Sequence, residues 1–391
     1  MSGPSPLLRP PLPTAHAAER WRVLATLMAG RASARRELSD ALHLRSTSVS
    51  DHVGHLVASG LVVESHRPSG GRGRPSGVLI ANPHRLAAVV YQVESQSIAA
   101  SCVNLAGQEL ARVSRHVPPQ ADNADMAGVL GALLDEVTLA APTATELAGI
   151  SFSLSGVLDA EARRWLFSSR WPALRDFDAA AAVGPRGLPV SVARNLDVEL
   201  SARLAHAQDT SGGTLLVHWG WGIGAAYAVA GVPVNGAAGR FGEIGHWRMG
   251  GEARPCRCGG IGCLETVAGL WACGEGLREA GLEVPTDEHL AGLRLRDARL
   301  FGVPCFERAF EAMVVSLGNL CRVLFPRRVI VSGPFVANAA VWSSLREALA
   351  REGTLPGVPA ADLQADQRSR ELEREGAAAA PLNTALARLL A

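Results

Sequence analysis

The chain reads as an α/β protein, with a small winged helix-turn-helix at its N-terminus and a larger α/β body that carries a structural zinc knuckle. Three observations predict this. Three short helical patterns, the last beginning near Ser46, are followed by two strand-like runs around a Gly/Arg turn. From about residue 83 onward strand and helix patterns alternate, as in layered α/β folds. Finally, His246, Cys256, Cys258 and Cys263 stand in an H-x9-C-x-C-x4-C spacing inside a glycine-rich segment.

A length of 391 residues is too great for one ordinary core, and 48% hydrophobic with 19% charged residues excludes disorder as the general state. The net charge of +1 hides an asymmetry: residues 1–85 hold eleven arginines against five acids, a net of +6, and the remainder is net −5. There is no lysine, so every basic contact comes from arginine, whose planar fork suits phosphates and guanine edges. Nucleic acid is therefore the first partner expected for the head. Seven cysteines without an apolar signal segment argue against a disulfide framework and for a cytoplasmic protein. The uncharged run Thr214–Val234 is long enough to span a bilayer. Its glycines, Pro233 and His218 divide it instead into two buried strands around a glycine turn, and no membrane association is expected.

Residues 1–16, with five prolines by position 13, are expected to form a disordered arm. In the first helix Trp21, Leu24, Ala25, Leu27 and Met28 recur at helical spacing, and Gly30 stops it. Ser33 is placed to cap a second helix, Ala34–Leu42, with Leu38, Ala41 and Leu42 inward. In the third, Val49, Val53, Leu56 and Val57 form the buried stripe. Arg45, Ser46, Thr47 and Ser50 fall at its exposed start, where small polar and basic side chains can approach base edges, with Asp51 and Gly54 on the same side. Gly54 fits either a close approach to DNA or a local packing need. Leu61–His66 and Val78–Ala81 read as the strands of a wing, whose turn holds Arg72 and Arg74 among glycines, a composition that favours a narrow minor groove. DNA-binding residues are thus expected at Arg45, Ser46, Thr47, Ser50, Arg72 and Arg74, in a domain spanning 17–82.

In the body, three thiolates and one imidazole complete a tetrahedral zinc shell without an open position, so one structural zinc per chain is expected. Gly259, Gly260 and Gly262 allow the loop to curl around the ion. Cys102, Cys273, Cys305 and Cys321 are scattered, and burial in the core is their expected fate.

The segment Gly242–Ala268, with its Gly-Glu-Ile-Gly-His run and its Cys263-Leu264-Glu265 end, resembles the ROK family of bacterial sugar kinases and transcriptional repressors. The resemblance extends to the Gly-Gly-Arg wing, the Ser155–Asp159 turn, Gly220-x-Gly222-Ile223-Gly224 and Ser332-Gly333. It implies an actin-like pair of α/β lobes around a cleft: lobe one about 83–195 plus a C-terminal helix about 370–391, lobe two about 196–369. The head places the chain with the repressor branch. The resemblance also implies that Glu243, His246 and Glu265 bind sugar hydroxyls, or alternatively that the two acids brace the zinc loop.

Two departures set the chain apart from the family's kinases. The phosphate-binding Asp-x-Gly-Gly-Thr turn falls on Gln92-Val93-Glu94-Ser95-Gln96, without glycines and with an acid that repels a triphosphate. The catalytic aspartate falls on Asn195, which cannot accept a proton, although a shifted register offers Asp197. A third departure, Arg170 at a family asparagine, points toward acidic or phosphorylated sugars, or toward lost ligand binding. The expected function is a sugar-responsive repressor of carbohydrate-utilisation genes without kinase activity. It would bind an operator as a homodimer or a dimer of dimers, with a sugar or sugar derivative held by Asn195, Glu243, His246, Glu265 and Arg170. The competing readings are a carbohydrate kinase with a DNA-binding head, and an architectural DNA-binding protein with a vestigial cleft.

Overall fold

The computed structural model describes residues 4–66, 77–184, 186–235, 240–367 and 369–391. The head consists of α1 (Ala15–Met28), α2 (Arg35–Leu42), α3 (Ser46–Ala58) and an antiparallel pair, β1 (Val62–His66) with β2 (Gly77–Ala81). Thr14 caps α1 by accepting from the Ala17 N–H at 3.1 Å. Ser33 does not cap α2 as expected: Ala34 holds that position, and the Glu37 carboxylate instead reaches back to the Ser33 N–H at 2.6 Å. His43, with φ of 55°, turns the chain into α3.

Two inward assignments are corrected. Ala41 is exposed, and Val57 is 36% exposed while His52, one turn from Val49, is buried in its place. The imidazole is tolerated inside because its Nε2 meets the Glu19 carboxylate of α1 at 2.8 Å. The wing turn with Arg72 and Arg74 lies outside the described residues.

From Pro4 onward the N-terminal arm is ordered, contrary to the expectation for 1–16. The Ser5 N–H donates to the Leu105 carbonyl at 3.2 Å, and the Arg9 N–H donates to Asn383 at 2.8 Å. Leu8 is buried in a cluster shared by the head, the first lobe and the last helix. Prolines suit an extended strap whose remaining polar groups bond to a surface, and one apolar anchor is enough to seat it.

The first lobe is a five-stranded sheet in the order β10 (Val190–Arg194), β6 (Glu146–Leu154), β3 (Leu86–Glu94), β4 (Ser97–Asn104), β5 (Glu109–His116). Helix α4 (Asn123–Ala140) contacts β4 and β5 and starts with a capping box between Asp122 and Asp125. A small sheet of β7 (Val157–Asp159), β8 (Arg164–Phe167) and β9 (Arg175–Asp178), followed by α5 (Ala179–Ala182), extends this lobe. The second sheet runs β13 (Val232–Pro233), β12 (Ile223–Val229), β11 (Gly213–Trp219), β14 (Arg328–Ser332), β15 (Asp362–Asp366). The apolar run Thr214–Val234 thus supplies β11 and β12, which pair antiparallel. No helix of the described residues is long and apolar enough to cross a membrane. Helices α7 (Leu264–Ala268), α8 (Leu270–Glu279), α9 (Glu288–Leu295), α10 (Pro304–Leu324) and α11 (Ala339–Glu352) complete the lobe around Trp219, stacked on Phe306.

Two helices join the parts. Leu196, Leu200 and Leu204 of α6 (Asn195–His206) pack on Leu216, Ala226 and Ile330 of the second sheet. The last helix, α12 (Arg370–Leu390), lies on α6 and on β6 and β3 of the first sheet. Gly149 in β6 is what lets it come so close: a Cβ there would stand 2.9 Å from Pro381 and 2.8 Å from the Pro189 carbonyl. At its end α12 meets the head, where Arg20 donates to the Leu390 and Ala391 carbonyls and His55 of α3 donates to Leu389, each at 2.8 Å.

Candidate ligand cleft and metal centre

His246 is delivered by a single 3-10 turn, Ile244–His246, and Cys263 immediately precedes α7. Short bridges between Arg248 and Cys263 and between Pro255 and Ile261 fold the intervening loop back, bringing one ligand atom each of His246, Cys256, Cys258 and Cys263 within 4.8 Å of one another. The Cys258 and Cys263 sulfurs are 3.7 Å apart, as are the Cys256 sulfur and His246 Nδ1. Tetrahedral bonds of about 2.3 Å to zinc place two sulfurs about 3.8 Å apart, so the cluster fits a metal ion of this kind. Gly262, at φ of +70°, permits the fold because a Cβ would meet the Glu252 carbonyl at 2.4 Å. Burial pushes the Cys256 and Cys263 thiols up, so a cation must draw off their protons to be held. Of the scattered cysteines, Cys102, Cys273 and Cys321 are buried as expected, whereas Cys305 is only half-buried.

A pocket of about 80 Å³ adjoins this centre, and all five residues expected to hold a ligand line it: Arg170, Asn195, Glu243, His246 and Glu265. Glu243 pairs with Arg194 at 3.1 Å, and burial pushes its carboxyl up against that attraction. Glu265 accepts from the Cys256 thiol at 3.2 Å, and burial raises its carboxyl to about 7. Glu265 therefore touches the metal shell and the pocket at once, which joins the two expected roles in one residue. Asn195 opens α6, with its Oδ1 accepting from the Leu196 N–H at 2.9 Å. Asp197 does not line the pocket; it faces Arg194 at 3.4 Å, and burial raises its carboxyl to about 6.

A second cavity, of about 540 Å³, lies beyond, bordered by Val93, Glu94, Ser95, Gly333 and Arg370 among others. The 92–96 turn is engaged internally: Gln92 donates to the Arg370 carbonyl at 3.0 Å and Ser95 donates to Asp287 at 3.0 Å. Arg112 and Arg370 pair with Glu94.

Between the two cavities stands a residue the sequence reading missed. Glu288, from the first turn of α9, borders both, as do Arg170 and His218. Its carboxylate accepts from Arg170 Nη2 at 2.9 Å and from the Trp221 N–H at 2.8 Å, and it meets His218 Nε2 at 2.8 Å. One signal was there: His218 is the lone histidine in an otherwise largely apolar run. In the head, Arg45, Ser46, Thr47 and Ser50 are all exposed at the start of α3, although Ser50 donates back to the Ser46 carbonyl at 2.9 Å.

Residues 93–361 match the ROK family. The chain belongs to the ROK family. It is related both to sugar kinases and to transcriptional regulators of that family. Over 164 residues it is 30% identical to a glucokinase of Halalkalibacterium halodurans, covering 37% of this chain and 49% of that one, so it spans about half the length of that relative. A xylose repressor of Caldicellulosiruptor bescii is 22% identical over 326 residues, with 79% of this chain and 81% of that one covered. Among solved structures, a ROK family transcriptional regulator described as a homologue of the E. coli MLC protein shares the fold at a TM-score of 0.68. That likeness has 20% identity and covers 96% of this chain and 98% of that one.

Proposed function

We propose that this ROK protein is a cytoplasmic transcriptional repressor of carbohydrate-utilisation genes, whose operator binding is set by a sugar or sugar derivative in the cleft and which has no kinase activity. The observation that carries this reading is α12: its first residue, Arg370, borders the larger cavity, and its last turn is bonded to α1 and α3 of the head. A ligand that favours one arrangement of the lobes thereby has a rigid element through which to bias the recognition helix. The exposed start of α3 supports DNA contact by Arg45, Ser46, Thr47 and Ser50. The internal pairing of the 92–96 turn and the amide at Asn195 support loss of phosphoryl transfer. The zinc is structural, and because one head covers a half-site, the working form is a homodimer or a dimer of dimers.

The DNA part is tested by fluorescence anisotropy on fragments from the chain's own upstream region. Replacing Arg72 and Arg74 together with alanine should weaken binding by about 2 kcal/mol or more and flatten its salt dependence by about two phosphate contacts. Unchanged affinity and salt slope would remove the wing from the reading. A coupled assay over a sugar panel tests the kinase alternative, and ATP turnover with any sugar would establish it.

A further inference from the structure

Arg170 from one segment and His218 and the Trp221 N–H from another, at the end of β11, converge on one point, and a carboxylate of the protein itself occupies it. The side chains there are nearly closed to solvent, with relative exposures of 7% for Arg170, 10% for His218 and 14% for Glu288. Both Glu288 oxygens are engaged, one by Arg170 and Trp221 and the other by His218. His218 Nε2 donates to the Glu288 carboxylate, and its Nδ1 lies 3.1 Å from Ser332 Oγ, which fixes the ring in place. Arg170 is held over the Trp221 ring at 5.2 Å, with Arg257 5.5 Å from that ring's centroid and 4.7 Å from that of Trp271. Backbone shape also contributes: a Cβ at Gly220 would stand 2.3 Å from His218 Nε2 and 2.9 Å from the Glu288 carboxyl carbon. The site is thus built for an anion from a guanidinium, an imidazole N–H and a backbone N–H, next to a glycine that leaves room for it.

We propose that this is an anion seat, that Glu288 fills it as an internal stand-in, and that the effector is an anionic sugar whose phosphate or carboxylate takes the seat by displacing Glu288. The inference rests on the sugar-cleft reading above and specifies its ligand class. The inner pocket of about 80 Å³ is far below the roughly 300–1,000 Å³ of small-molecule sites, and Glu288 is one of the side chains that close it. Withdrawing that carboxylate joins the pocket to the 540 Å³ cavity, whose walls include Arg296 and Arg370 and can receive a displaced acid. The sugar ring then faces Asn195, Glu243 and Glu265, and its charged substituent reaches Arg170. A neutral sugar leaves Glu288 in place and lacks this contact.

The test is isothermal titration calorimetry on the zinc-loaded full chain with glucose and mannose, their 6-phosphates, glucuronate and mannuronate. At least one anionic member should bind about tenfold or more tighter than its neutral parent, and the phosphate and uronate arms tell which anion the seat takes. Glu288→Gln should tighten that ligand by a further factor of about ten, because the internal competitor loses its charge. If Glu288 were instead a ligand for sugar hydroxyls, the same substitution would weaken every sugar, and that result overturns the proposal. Binding of neutral sugars alone overturns the seat but leaves the sugar cleft standing; binding of no sugar by a protein that still binds its operator overturns both. Should Glu288→Gln fold poorly, Glu288→Ala provides a second measure: inorganic phosphate at millimolar concentration should raise its Tm by several degrees more than that of the wild type. Equal shifts would contradict an emptied anion seat.

Discussion

The two cavities that meet at Glu288 present opposite surfaces to a ligand. On the inner side Asn195, Glu243 and Glu265 converge on a small polar pocket braced by the metal loop, with hydrogen-bonding capacity directed inward. Next to the outer side the 92–96 turn is engaged by the protein itself, with Gln92 donating to the Arg370 carbonyl, Glu94 pairing with Arg112 and Ser95 donating to Asp287. The difference teaches how recognition can be separated from chemistry. A hydroxyl-binding wall needs only acceptors held in place, whereas a phosphoryl-transfer site needs unengaged backbone donors and a base.

The comparison breaks most visibly if the inner wall loses its brace. Cys258→Ser should leave the chain short of its one equivalent of zinc and lower Tm by about 10 °C or more, since a closed zinc site contributes directly to folding. Because His246 and Glu265 border both the metal shell and the pocket, sugar binding should fall with it. Metal analysis and calorimetry together check this; a fully stable variant that binds sugar without metal would separate the two roles. A smaller effect sharpens the contrast directly. Glu243→Gln should weaken sugar binding by about 1.5–3 kcal/mol, the worth of a charge-assisted hydrogen bond, while Glu94→Gln should change it by less than about 0.5 kcal/mol. Similar losses in the two titrations would mean that the cavities act as one site. The smallest effect is expected at the far end of α12. Arg20→Met removes a cation that bonds two terminal carbonyls, a contact worth about 1 kcal/mol, so the ligand response of operator binding should shrink while sugar affinity stays unchanged. A full response in this variant would route the coupling elsewhere.

What was legible in the sequence follows the spacing of the parts. The metal centre could be read because its four ligands lie within eighteen residues, closed by glycines whose positive φ is a local property. The two strands of the apolar run, the helical head and the closing helix were legible for the same reason, since period and punctuation are local. Glu288 was not, because it lies 118 residues from Arg170 and 70 from His218, and its helix reads as an ordinary amphipathic one. The N-terminal strap failed differently. Its prolines exclude regular structure but say nothing about docking, and Leu8 finds its cluster only once α12 is in place. Val57 and His52 exchanged places because periodicity favours the apolar residue, whereas the carboxylate partner that lets His52 be buried sits on another helix.

The central claim is that ligand in the inner cleft alters DNA binding without being chemically changed. Operator affinity of the zinc-loaded full chain should be measured by fluorescence anisotropy across neutral, acidic and phosphorylated sugars in the presence of Mg²⁺ and ATP, with nucleotide and sugar recovered afterwards. The account predicts that at least one sugar shifts the binding curve by about tenfold or more and is recovered intact alongside undiminished ATP. A phosphorylated product with ATP consumed, or curves that no sugar moves, would contradict it.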